Sequence, residues 1–211
     1  MNVQQINVGP FDSNCFLITN SKREGLLVDP GDEAARILEI IRREQVDLKV
    51  ILITHGHIDH VSGLAAVHNQ YPCPIAMHPA DRSWAFSMNN QMMPYYGVPE
   101  APSAIARELA EGQEWTDIGY RYDVIELPGH SPGHVGFHFP EQHSLFSGDV
   151  LFQGSVGRTD LPGGDMHALT QSLKRMARLP DDTVVYCGHG PATTVGEEKR
   201  RNPYMRAIRL D

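Results

Sequence analysis

The sequence predicts a mixed α/β sandwich, and three observations carry that expectation. Apolar runs of four to six residues recur along the chain, helical patterns lie between them, and several runs end in a glycine or turn followed by a histidine or aspartate. Alternating strands and helices call for a parallel sheet, whereas closely spaced early strands call for an antiparallel one, so both must be present.

In order along the chain, "NVQQINVG", "NCFLITN" and "GLLV" are separated only by turns and read as an antiparallel meander. The third run continues as "GLLVDPG", ending at Asp29, and "DEAARILEIIRREQ" reads as a helix behind an Asp cap and the Pro30-Gly31 turn. A strand in "KVILITHGHIDH" runs directly into a histidine cluster, and "DHVSGLAAVHNQ" carries the chain on as a helix. Residues 78–103 are irregular and rich in Pro, Met and aromatic side chains. Such adaptable groups suit an apolar lid over a substrate site or a helix-and-loop insertion packed on the core, and the packed insertion is the plainer expectation. Further runs, "YDVIELPGH", "SLFSGD" and "TVVYCGH", end at His130, Asp149 and His189, with a helix "DMHALTQSLKRMARL" starting at Asp165.

A chain of 211 residues, 41% hydrophobic, can bury a sizeable core, and residues 1–211 are expected to form one domain. No basic stretch leads into an apolar run at the start and no apolar segment is long enough to span a bilayer, so a cytoplasmic protein without membrane attachment is expected. Three separated cysteines, Cys15, Cys73 and Cys187, indicate neither a disulfide framework nor a thiolate metal cluster, which fits a reducing compartment. A net charge of −8 without an extended basic tract argues against nucleic acid as a partner.

"THGHIDH", from Thr54 to His60, is the densest chemistry in the chain. Histidine nitrogens and carboxylate oxygens suit zinc, iron or manganese, and an open site built from them serves catalysis, unlike a closed thiolate site. His55 and His57 alternate on an extended turn and can face one ion, while Asp59 and His60 enter the next helix and can face another. Strand ends at one sheet edge can gather the remaining candidates into the same cleft, although they lie up to 134 positions apart. His68, His78, His138, His143 and His167 lack that strand-end setting and are set aside.

"THGHIDH", "PGHSPGH", "SGD" and "CGHG", in this order and over nearly the whole chain, resemble the metallo-β-lactamase superfamily and, within it, the short glyoxalase II-like (hydroxyacylglutathione hydrolase) enzymes. The resemblance implies a four-layer αββα sandwich and two divalent metal ions per chain, zinc first, with iron and manganese as alternatives. It assigns one ion to His55, His57 and His130, a second to Asp59, His60 and His189, and Asp149 as the bridge. His134 is then a residue that orients a ligand or lines the pocket, or simply a satisfied polar group at the start of the strand "HVGFHF". Asp29 of "VDPG" is expected to hydrogen-bond the histidine loop from behind.

The activity implied is thioester hydrolysis by a metal-bound hydroxide, with S-lactoylglutathione or a related small acyl thioester as the partner molecule, and Asp59 as the residue able to carry a proton. The pattern departs from full-length glyoxalase II after the last histidine motif: "GHGPATT" lacks the tyrosine, and no C-terminal helical region with glutathione-gripping basic residues follows. Arg158, in the Gly-rich "GSVGRTDLPGGD", could reach an anionic substrate group or pair with Asp160 or Asp165. Lys199, Arg200, Arg201 and Arg206 read as a solvated charged face. The alternative activity is that of the mononuclear-iron persulfide dioxygenases of the same superfamily, which share a "GRTD" stretch such as Gly157 to Asp160 and would use one first-cluster histidine with His130 and Asp149. The sequence leaves the oligomeric state open.

Overall fold

A computed structural model of the protein describes residues 1–208. The last three of the 211 residues assigned to one domain lie outside that range.

Two six-stranded sheets pack face to face. The first runs in sequence order: β1 (Asn2–Val8), β2 (Ser13–Thr19), β3 (Glu24–Val28), β4 (Asp47–Leu52), β5 (Ile75–Met77) and β6 (Arg107–Glu108). β1 to β3 form the expected antiparallel meander, and β3 to β6 pair in parallel through helical crossovers. In the second sheet, β7 (Glu114–Asp117), β8 (Tyr120–Glu126), β9 (Val135–Phe139) and β10 (Ser144–Gly148) are antiparallel neighbours. A separate hairpin of β11 (Leu151–Phe152) and β12 (Ser155–Val156) follows. β13 (Val184–Cys187) then returns parallel to β10, with β14 (Thr193–Thr194) beside it.

Side-chain alternation along these strands builds the layers. On β2, Phe16 and Ile18 point between the sheets while Cys15 and Leu17 point outward, and on β3 and β4 Leu26, Val28, Val50 and Leu52 face inward against Leu27 and Ile51 outward. Tyr122, Val124, Val135, Phe137, Phe139 and Phe146 from the second sheet complete the inner layer. Both faces of the first sheet are thus apolar, which is why its strands read as unbroken apolar runs. Its outer face is covered by α1 (Ala34–Arg43), α2 (Ile58–Val61), α3 (Leu64–Gln70) and α4 (Pro79–Ala85), through residues such as Ile37, Ile41, Val61, Leu64, Val67 and Ala85. α5 (Met166–Met176), α6 (Val195–Arg201) and α7 (Pro203–Arg206) cover the second sheet with Leu169, Leu173, Met176, Val195 and Met205. The result is the four-layer αββα sandwich. Each fully buried Leu, Ile or Phe contributes roughly 1.5–3 kcal/mol relative to exposure, so the inner layer fixes the sheet pair firmly.

α5 starts at Asp165 as expected, whose carboxylate accepts from the backbone N–H of His167 and Ala168. The Asp cap expected for α1 is not formed. Glu33 occupies the cap with left-handed backbone, and Asp32 accepts only from the adjacent Glu33 N–H. The preceding turn is committed elsewhere: the Pro30 carbonyl accepts from Gly63 N–H, and a Cβ on Gly31 would sit 1.8 Å from the Asp59 carbonyl oxygen. The helix following the histidine cluster is likewise broken in two, with Ser62 and Gly63 between α2 and α3. No helix of the described residues is long and apolar enough to cross a membrane.

Candidate metal centre

β4 ends at Leu52, and the chain then bends at Thr54 and passes to His57 without regular structure before α2 carries Asp59 and His60. The loops after β3 of the first sheet and β8, β10 and β13 of the second bring Asp29, His130, Asp149 and His189 to the same end of the sandwich. Ligand-capable atoms of His55, His57 and His130 lie within 4.8 Å of one another, as do those of Asp59, His60 and His189. Asp149 stands between the two sets. Its Oδ2 is 3.5 Å from His130 Nε2 and 3.4 Å from His189 Nε2, and its Oδ1 is 3.5 Å from His60 Nε2.

Four of the histidines are oriented by a contact on Nδ1, leaving Nε2 for the centre. His55 Nδ1 meets Thr54 Oγ1 at 3.0 Å, His60 Nδ1 meets Asp29 Oδ2 at 3.1 Å, His130 Nδ1 donates to the Arg158 carbonyl at 2.8 Å, and His189 Nδ1 to the Phe11 carbonyl at 3.0 Å. His57 is reversed, with Nδ1 lying 2.8 Å from His130 Nε2. Buried Nε2 atoms of His55 and His60 and Oδ1 of Asp149 have no hydrogen-bond partner within the protein. Orphaned donors and acceptors this deep are costly unless something binds them, so the residues fit a cationic metal.

Charge makes the same point. For His60, burial opposes protonation, but Asp59, Asp149 and Asp29 outweigh it and raise the imidazole to about 9. Burial likewise opposes His189, and hydrogen bonding to Asp149 and Asp59 lifts it to about 11. Asp59 is held at about 2, burial being overcome by His60 and His189, and Asp149 is pushed down in the same way. Burial and the neighbouring imidazoles drive His55 well down and His57 to about 3, leaving both neutral. Two carboxylates in a nearly dry pocket thus demand positive charge beside them.

Asp29 lies behind the histidine loop: Oδ1 accepts from Thr54 N–H at 2.8 Å, Oδ2 from the Thr54 hydroxyl at 2.6 Å, and Oδ2 also meets His60. Its φ of 49° is left-handed, a strained state for a non-glycine residue that these three contacts hold in place. His134 is fully buried, stacks on His55 at 4.7 Å, and accepts at Nε2 from the Asp149 N–H at 3.0 Å. It therefore touches two of the candidate ligands rather than the cleft. Arg158 lines the cleft, but its guanidinium is forked onto Asp160 at 2.7 and 2.8 Å, and Asp165 is occupied as the α5 cap. Lys199 pairs with Asp181, and Arg200 and Arg201 with Glu197, all at the surface.

Sequence reading missed Asp81. This fully buried carboxylate on α4 accepts from Gly56 N–H at 2.8 Å, Gly133 N–H at 2.6 Å and the Ser131 hydroxyl at 2.6 Å, tying the His55–His57 loop to the loop after His130. Asn90 adds a bond to the Gly56 carbonyl at 2.8 Å, and the Ser13 hydroxyl donates to Asp59 Oδ2 at 2.9 Å. An Asp two residues after a His-Pro helix start looks like any first-turn acid, so nothing local marks it. Residues 78–103 combine both readings given to them: α4 packs on the core through Asp81 and Ala85, while Trp84 and Asn89 to Met92 form one wall of the cleft.

The comparisons with known proteins agree with this geometry. The family model of the metallo-beta-lactamase superfamily matches residues 8–189, and the chain belongs to that superfamily. It is 36% identical over 210 residues to hydroxyacylglutathione hydrolase GloC of Haemophilus influenzae, covering 98% of this chain and 99% of that one. Among solved structures, the BLEG-1 B3 metallo-beta-lactamase matches with a TM-score of 0.91 at 36% identity, covering 97% of this chain and 99% of the other. TTHA1623 in a di-iron-bound form matches with a TM-score of 0.81 at 39% identity, covering 96% and 100%.

Proposed function

We propose that the chain is a dinuclear metallohydrolase that cleaves small acyl thioesters of the glyoxalase II type. The observation that carries this reading is the position of the Asp149 carboxylate, within 3.5 Å of a histidine from each ligand set. One ion is assigned to His55, His57 and His130, the other to Asp59, His60 and His189, with Asp149 bridging. Zinc is the first candidate for both, and iron the second, in keeping with the di-iron-bound form of TTHA1623. When bound, such ions lower the pKa of a water toward about 7 and polarise a carbonyl.

The chain's own residues do the rest. Net hydrolysis breaks the C–S bond, forms a C–O bond from water and gives a carboxylate and a thiol. Asp59 lines the cleft as a carboxylate, with Oδ2 held by the Ser13 hydroxyl, and is the residue to which we assign proton transfer. Asp29, Thr54 and the Arg158 and Phe11 carbonyls fix imidazole orientations and His134 holds the Asp149 main chain, so little rearrangement accompanies the reaction. Identity to a hydroxyacylglutathione hydrolase supports the thioester class.

A mononuclear iron dioxygenase would leave Asp59, His60 and His189 without a ligand role, and their convergence on Asp149 favours the hydrolase. The deciding experiment measures metal per chain and then hydrolysis of a panel of thioesters, a β-lactam and a lactone, with oxygen uptake on glutathione persulfide as the counter-assay. Thioester cleavage by protein holding two metals supports the reading; one iron with oxygen uptake overturns it.

A further inference from the structure

The cleft in front of the centre has a volume of about 1070 Å³, at the top of the roughly 300–1,000 Å³ range of ligand pockets. That is far more room than a lactoyl group needs. Apolar side chains stand on both sides of the histidines, beside the amides of Asn89, Asn90 and Gln91. On one side the Trp84 ring lies 5.3 Å from the His57 ring, and Met92 also lines the cleft. On the other, the Phe152 ring lies 6.1 Å from His189, whose Nδ1 is held by the Phe11 carbonyl. Phe11 is itself fixed against Tyr95 and Tyr96, with ring centroids 5.5 Å away in each case.

Charge in the cleft is as informative. Among the described residues lining it, Arg158 is the one Lys or Arg, and both of its forked bonds go to Asp160. A substrate carboxylate would have to share this exposed guanidinium with a carboxylate already paired to it.

We propose that the cleft selects thioesters with an uncharged, apolar arm, which lies along the wall formed by Trp84 and Met92, over thioesters of glutathione, which carries two carboxylates and one ammonium group. This specificity rests on the thioesterase reading, and the Arg158–Asp160 pair and the apolar wall are its two independent supports. The apolar arm gains by leaving water, while the anionic one loses by competing with Asp160.

Inert thioethers test binding without turnover. Calorimetric titration of the metal-replete protein would use S-ethyl, S-butyl and S-hexyl N-acetylcysteamine together with S-ethyl glutathione. Affinity is expected to rise about two- to fourfold per added methylene, with S-hexyl N-acetylcysteamine binding tighter than S-ethyl glutathione. Trp84→Ala and Met92→Ala, each checked for native circular dichroism and metal content, should flatten that rise. Asp160→Asn should tighten S-ethyl glutathione by up to about fivefold and leave the neutral series unchanged. Affinity independent of chain length, or tighter binding of S-ethyl glutathione than of S-hexyl N-acetylcysteamine by wild type, would overturn the proposal. Hydrolysis of S-acetyl N-acetylcysteamine is measured separately. If the graded binding holds and no thioester is cleaved, the apolar cleft stands and the thioesterase reading falls.

Discussion

Replacing Asp81 by Ala isolates the support of the centre from its ligands, because Asp81 touches none of them. Its carboxylate receives two backbone N–H groups, those of Gly56 and Gly133, and the Ser131 hydroxyl, at 2.6 to 2.8 Å and fully out of water. Alanine strands both N–H groups, whereas the hydroxyl can rotate. At about 1–3 kcal/mol for each buried donor left unpaired, the loss is about 2–6 kcal/mol before the gain from no longer burying a carboxylate. Against a total stability of about 5–15 kcal/mol, that is a severe change. Asp81→Asn keeps the volume and one acceptor, so it should cost about one bond, roughly 1–2 kcal/mol. Gly56 sits between His55 and His57, and Ser131 follows His130, so metal affinity at that set should fall about 10–100-fold, more than at the Asp59, His60 and His189 set. Urea unfolding of chelator-treated protein reads the first effect, and competition with a chromophoric chelator reads the second. Wild-type stability and two wild-type affinities in Asp81→Ala would refute the assignment of Asp81 as the tie between the loops.

Elemental analysis of metal-replete protein should give close to two ions per chain, and a plateau at one would contradict the bridging position of Asp149. Asp149→Ala should lose most metal and all turnover while His189→Ala keeps one ion, and full retention in both variants would show the ligand sets to be wrong. Gly188→Ala should behave like Asp149→Ala in metal content, since a Cβ there would lie 2.0 Å from Asp149 Oδ1; unchanged metal binding would mean that the aspartate is not confined as described. His60 at about 9 and His189 at about 11 are protonated at pH 7 in the metal-free protein, so filling their site must expel protons. Between pH 6 and 8 metal affinity should therefore rise with pH, by up to about 100-fold per unit if both protons leave, and calorimetry in buffers of different ionisation enthalpy counts them. Release of no protons would place the ion elsewhere.

Much of the fold was legible because its signals are local. β1 to β3 announce themselves by closely spaced apolar runs, and the crossovers after β3 and β4 by helical patterns, so a mixed sheet is forced by connection length alone. The unbroken apolar character of Leu26 to Val28 and Val50 to Ile53 already says that both faces of the first sheet are covered. What failed is where local preference yields to a distant contact. Asp32 is a sound helix cap by propensity, yet Gly31 is pressed against the Asp59 carbonyl and the turn must accommodate that contact first. Such close approaches between loops have no period and no motif.

The centre divides in the same way. His55, His57, Asp59, His60, His130, Asp149 and His189 are visible because histidines and aspartates clustered directly after strands are rare enough to notice, and the strand ends meet at one end of the sandwich. Groups that position them are ordinary residues met by chance of topology: a carbonyl from Phe11, another from Arg158, a hydroxyl from Ser13, a carboxylate from Asp81. Backbone carbonyls carry no sequence identity at all, so two of these four could not have been read from any residue type. Arg158 shows the converse. Of the two roles its side chain suggested, a substrate contact or a pair with Asp160 or Asp165, the structure shows the pair with Asp160, and its main-chain oxygen is what reaches the centre, holding His130 at 2.8 Å. Truncating the side chain should therefore leave metal content intact, whereas distorting its backbone, as Gly157→Ala would by placing a Cβ 1.8 Å from the Asp149 carbonyl, should not. Metal analysis of Arg158→Ala beside Gly157→Ala distinguishes the two roles, and equal metal loss in both would return the function to the guanidinium.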